Sequence, residues 1–122
     1  MAGQNYRDLQ AWQRSMDLAA AVYRFVRMLP DDERFGLSSQ LRRAAVSIPS
    51  NIAEGQGRAG PAEFARFLNI AHGSLREVET QLLLCVHVGL STDEEIAEPL
   101  GLCAVVGRLI NGLRRHLRDS AS

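Results

Sequence analysis

Between Phe64 and Cys85 the apolar residues Phe64, Leu68, Ala71, Leu75, Val78, Leu82 and Cys85 recur in alternating steps of four and three. Six such steps in one phase keep a single helix face against a partner, and no strand can do this, because its side chains alternate every two residues. A long amphipathic helix is therefore fixed in the middle of the chain. Its C-terminal stretch LLLCVHV is apolar on nearly all sides, and the unbroken phase keeps it helical. Ala71, Gly73 and Ser74 are small. An interior glycine costs about 1 kcal/mol against alanine, so another helix is expected to approach closely there.

The flanking segments obey the same period. Leu9, Trp12, Met16, Ala19, Tyr23 and Val26 line one face, and Leu18, Val22, Phe25 and Leu29 form a second stripe beside it, an arc wide enough for two neighbours. Leu29-Pro30-Asp31-Asp32 breaks this first helix, since a residue before proline is driven out of the helical region. The next stripe, Leu37, Leu41, Ala44 or Ala45, Ile48 and Ile52, crosses Pro49 without losing phase. Proline inside a helix removes the bond to the carbonyl four residues back, here that of Ala45, at a cost of about 3 kcal/mol. The expected result is one helix kinked at Pro49, with Ser47, Ser50 or Asn51 serving the freed carbonyl. The alternative is a stop near Ser47 and a new helix with Pro49 in its first turn. Gly55, Gly57 and Gly60 are expected to end this helix and Pro61 to open the next.

After Gly89-Leu90, the run Ser91-Thr92-Asp93-Glu94-Glu95 offers a hydroxyl N-cap and an acidic first turn. A fourth helix then follows to about Arg118 along Leu102, Val106, Leu109, Leu113 and Leu117, with Pro99 separating a short first turn from its body. Four helices, short connections and no strand signal predict an all-α, antiparallel up-down four-helix bundle. At 122 residues the whole chain, 1–122, fits one domain.

Charge restricts the possible partners. Fourteen basic residues, all arginine, balance fourteen acidic ones, so there is no global field drawing the chain to nucleic acid, and any such contact must come from local clusters. Residues 34–66 are rich in arginine and residues 67–99 in carboxylates. If Arg42, Arg58 and Arg66 meet at one end, and an oligomer repeats that end, a modest patch becomes multivalent for phosphate. Arg114 and Arg115, beside His116 and Arg118, form a second cluster. The competing expectation is salt bridging between subunits.

The residues argue against catalysis. No Glu-x-x-His pair of the kind that builds a dimetal carboxylate site is present. Cys85 and His87 diverge on a helix, and Cys103 has no acid or histidine nearby in sequence. Both cysteines read as reduced core residues. No catalytic residue, metal or cofactor is expected. Arg43, Asn51, Glu54 and Glu77 are expected to form a structural polar network. Apolar runs such as Leu82 to Val86 are far too short to cross a bilayer, and MAGQNYRDLQAW has no signal-peptide core, so the expected location is the cytoplasm, away from membranes.

Three blocks also carry a likeness. GLSSQLRRAAVSIPSNIAEGQGR, FLNIAHGSLREVETQL and the opening YRDLQAWQRSMDLA resemble the bacterial four-helix bundle proteins, also called 23S rRNA intervening-sequence proteins, and the likeness continues through VGRLINGLRRHL. It implies an antiparallel bundle, a ring-like homopentamer and a nucleic-acid role. Distant relatives of that family are the accessory proteins of diversity-generating retroelements. The functional expectation is a non-catalytic homopentamer that binds RNA or DNA through its arginines. A protein adaptor or scaffold without nucleic acid is the alternative.

Overall fold

The computed structural model describes residues 5–58 and 60–121. Four helices follow one another: α1 (Gln10–Val26), α2 (Leu37–Gln56), α3 (Pro61–His87) and α4 (Asp93–Ala121). Single 3-10 turns at Tyr6–Asp8 and Asp31–Glu33 precede α1 and α2. No strand occurs among the described residues.

Consecutive helices pack side by side, and α1 closes the circuit against α4. Residue pairs give the directions. Gln81 donates to Gln40 at 3.4 Å, the Ser47 and Ser74 hydroxyls meet at 2.8 Å, and Gly55 lies against Phe67, so numbers rise along α2 as they fall along α3. Arg24 reaches Glu98 at 3.2 Å, while Leu9 and Leu113 share a cleft at the other end of the same helix pair. Helices α1 and α4 therefore also run in opposite directions.

The heptad stripe of α3 is the centre of the core. Leu68, Ala71, Val78, Leu82 and Cys85 have no exposed surface, and Leu75 has almost none. Facing them are Leu41, Ala45, Ile48 and Ile52 from α2, Leu18 and Val22 from α1, and Ile96, Cys103, Val106 and Ile110 from α4. By length and apolar composition α4 could span a membrane. Ile96, Cys103, Val106 and Ile110 of that helix face the bundle core, and the helix opens on Asp93, Glu94 and Glu95.

Of the two stripes on α1, Leu18, Val22, Phe25 and Leu29 enter the core, whereas Met16 and Tyr23 stay more than two-fifths exposed. The outward residues line a groove between α1 and α2 with Val46 and Pro49. Helix α2 runs unbroken across Pro49, which is buried. Asn51 does not turn to the Ala45 carbonyl. Its amide donates to the carbonyl and the hydroxyl of Ser47, one turn back, at 2.8 and 2.9 Å, and through Ser47 it reaches Ser74 on α3. Helix α4 is likewise continuous through Pro99, without the expected separate first turn, and Thr92 and Glu95 cap its start reciprocally. The Glu95 amide donates to Thr92 Oγ1 at 3.2 Å and the Thr92 amide to Glu95 Oε1 at 2.9 Å. At the preceding turn Gly89 takes φ of 82°, and the Leu90 amide closes on the Cys85 carbonyl at 2.8 Å.

Two glycines depart from the roles expected of them. Gly55 lies inside α2, where a Cβ would come within 2.5 Å of Phe67 Cβ, so this glycine permits the close approach. Gly73 lies on the outer face of α3, and a Cβ there would meet nothing within 4 Å. Replacing Gly73 with alanine is expected to stabilise the isolated bundle by about 1 kcal/mol, raising its melting temperature by about 3–6 °C in a thermal scan. A fall instead would place another chain against that face.

Candidate nucleic-acid interface at one end of the bundle

The antiparallel register collects basic residues where α2 ends, α3 begins and α4 ends. Arg114 and Arg118, one turn apart on α4, line a groove of about 450 Å³ with Pro61, Ala62, Ala65 and Asn69 of α3. A second groove of about 440 Å³ shares Pro61 and Leu117 with the first and adds Leu9, Phe64 and Leu113 as apolar walls, with Arg58 and His116 among its polar ones. The two grooves adjoin at Pro61 and Leu117, with largely apolar walls and cationic edges. Arg118 also lies in the last turn of α4, where a cation is stabilised by the helix dipole.

The expected grouping of Arg42 with Arg58 and Arg66 does not occur. Arg42 sits in the second turn of α2 and Arg58 just beyond its far end. Sixteen residues at the helical rise separate them by about 24 Å. Arg58 and Arg66 do come together, both stacked on the Phe67 ring with guanidinium carbons 5.2 and 4.6 Å from its centre. Each also carries a local carboxylate: Arg58 pairs with Glu54 at 2.7 Å and Arg66 with Glu63 at 3.1 Å. The hydrogen bond and charge of Arg66 hold the Glu63 carboxyl below its ordinary value. Arg115 is exposed on α4 beside these grooves but lines neither. Arg118 and His116 complete the patch; the four-residue step from Arg114 to Arg118 was the available signal in the sequence.

The polar network expected of Arg43, Asn51, Glu54 and Glu77 divides in two. Glu54 turns to Arg58 at the helix end, away from Arg43. Arg43 and Glu77 instead flank a cleft of about 410 Å³ along the α2–α3 seam, floored by Ser47 and Ser74, while Asn51 anchors Ser47 from within α2. The SIPSNIAEG and GSLREVE blocks thus face each other across one hydrogen-bonded seam.

The opposite end of the bundle is acidic. Asp31, Asp32 and Glu33 follow α1, and Asp93, Glu94, Glu95 and Glu98 open α4. The chain is neutral overall and polarised along its axis. An anion is therefore attracted at one end and repelled at the other.

Burial shifts three further titratable groups. Burial, helped by the charges of Arg114 and Arg76, lowers the pKa of His72, which favours a neutral imidazole. Burial pushes the Cys85 thiol up, and that of Cys103 up to about 12, so neither is a ready nucleophile. Among the described residues no three histidine, cysteine or acidic side chains converge on a point that could hold a metal ion.

A family model described as 23S rRNA-intervening sequence protein matches residues 7–112. No curated protein matches the chain significantly. Among solved structures, a crystal structure of a protein of unknown function from the S23 ribosomal protein family of Bacteroides thetaiotaomicron superposes with a TM-score of 0.78 at 24% identity, over 85% of this chain and 97% of that one. At that identity the likeness establishes the shared fold.

Proposed function

The chain belongs to the 23S rRNA-intervening sequence protein family, and from that premise we propose that it is a non-catalytic, cytoplasmic homopentamer of bundles that binds RNA or DNA through its basic end. The observation that carries the reading is the pair of adjoining grooves edged by Arg58, Arg114, His116 and Arg118, set opposite an acidic end on a neutral chain. One such patch gives a weak phosphate contact. Several copies presented together raise the effective affinity without new chemistry.

The test is fluorescence anisotropy with labelled single-stranded RNA and duplex DNA between 50 and 200 mM salt. The double substitution Arg114→Glu and Arg118→Glu is expected to weaken binding at least about tenfold and to flatten the salt dependence by about two phosphate contacts. Glutamate at Arg42, about 24 Å along α2 from Arg58, should change affinity far less. Equal effects from the two ends would remove the basis of the assignment.

The outer groove between α1 and α2 favours a second reading, a protein adaptor. It has a volume of about 550 Å³ and is walled by Trp12, Met16, Tyr23, Val46 and Pro49, with Tyr6 set edge-on to Trp12 at 5.3 Å. Capture of a protein partner that Trp12→Ala abolishes, together with no salt-dependent nucleic-acid binding, would select it.

A further inference from the structure

The basic end is more than a pad of charge. Its first groove, of about 440 Å³, has Pro61, Phe64, Leu113 and Leu117 among its walls, and the second carries Pro61, Ala62, Ala65 and Leu117. A duplex offers mainly phosphates and sugars to such a surface and keeps its bases stacked inside, so against it these walls would stay wet. Apolar walls ringed by cations suit a flat, apolar group carried on an anionic chain, which is what an unpaired base is.

Two rings line the first groove. Phe64 is partly buried against the core, and its Cδ1 lies 3.1 Å from where a Cβ on Gly55 would stand, so the ring is held in place while one side meets the groove. His116 is exposed on α4 and lines the same groove. The cations are placed around them. Arg58 is fixed by Glu54 at 2.7 Å and by the Phe67 ring at 5.2 Å. Arg114 bonds to the neutral Asn111 at 3.1 Å, and among the described residues neither Arg114 nor Arg118 pairs with a carboxylate. Their charge is left for phosphates.

We propose that an unpaired nucleobase inserts into the groove between Phe64 and His116, with the neighbouring phosphates on Arg114 and Arg118, so that the basic end takes single-stranded nucleic acid in preference to duplex. Stacking on an aromatic side chain tolerates any base, since every base has a π-face. The selection is therefore for strand form and only weakly for sequence. The inference rests on the reading of this end as a nucleic-acid surface, and it adds the form of strand that the surface accepts.

Fluorescence anisotropy at 50 and 200 mM salt tests it on the intact protein with three labelled probes of equal length: oligothymidine, the same strand with its bases removed, and a duplex. The abasic strand keeps every phosphate and so reads charge alone. Oligothymidine is expected to bind at least about fivefold tighter than the abasic strand, the low end for one stacked base, with the same dependence on salt, and tighter than the duplex at 200 mM. Oligouridine run in parallel tells RNA from DNA as the source of the base. His116→Ala should narrow the gap between base-bearing and abasic strands and His116→Phe should restore it, with circular dichroism checking that both variants are folded. If the abasic strand binds as tightly as oligothymidine, base insertion is wrong while the basic end stands as a phosphate surface. If no probe shows salt-dependent binding, both fall.

Discussion

Substituting valine for Gly55 is expected to cost about 3 kcal/mol of stability, the high end for forcing extra atoms into a packed contact. A Cβ at this position would come within 2.5 Å of Phe67 Cβ and 3.1 Å of Phe64 Cδ1. The nearest atom is the first carbon of a buried side chain, which can yield only if its helix backbone yields. Helices α2 and α3 would have to separate, and the loosened seam includes the Ser47–Ser74 hydrogen bond of 2.8 Å. Alanine at Gly55 should cost less, since its better helix propensity recovers about 1 kcal/mol, but it remains destabilising. Urea melts of the two variants measure the effect. A wild-type midpoint for both would mean that the two helices do not approach as closely as described.

The second large effect is expected in alkali. Burial, with a smaller contribution from the charge of Glu79, pushes the Cys103 thiol up to about 12 from 9.0. Below pH 9 both the folded and unfolded chains hold the proton, so this group leaves stability unchanged. Between pH 9 and 12 the unfolded chain releases the proton and the folded chain keeps it. Stability then falls by about 1.4 kcal/mol per pH unit, or about 4 kcal/mol over the whole window. Comparing urea midpoints of wild type and Cys103→Ala isolates the effect. The stability advantage of wild type should shrink by about 2 kcal/mol between pH 8 and 10.5, and a constant difference would show that the thiolate is accommodated inside the bundle.

Much of the fold was legible because the apolar phase of each segment is a local property. The α3 stripe fixed its length and its inward face, and the stripe across Pro49 kept α2 in one piece. The hydroxyl and acidic run Ser91 to Glu95 marked the start of α4. What failed depended on neighbours. Both stripes of α1 have helical spacing, and only the positions of α2 and α4 decide that Leu18 and Val22 go inside while Met16 and Tyr23 stay out. Gly55 looked like a stop because glycine ends helices, yet its actual role depends on Phe67, twelve residues further along the chain. Gly73 looked like a contact and is open.

The candidate site was less legible than the fold. Arg42, Arg58 and Arg66 are close in sequence, but the 20 residues of α2 carry Arg42 to the far end. Arg114 and Arg118 are distant in sequence from Pro61 and are brought to it by the reversal between α3 and α4. Local charge pairing also intervenes: Glu54 and Glu63 lie within one turn of Arg58 and Arg66, and helix spacing lets each carboxylate reach its arginine.

The order in which the helices touch also bears on how fast the molecule forms. Helix α2 packs on α3 and α3 on α4, each pairing a segment with the one that follows it, and only α1 against α4 joins the two ends of the sequence. Most closures therefore span short loops, and chains with such low contact order fold in microseconds to milliseconds. The α2–α3 hairpin, with the most extensive pairing and only four residues between its helices, is placed to nucleate. The meeting of α1 and α4 would then be the late, entropically costly event that sets the rate.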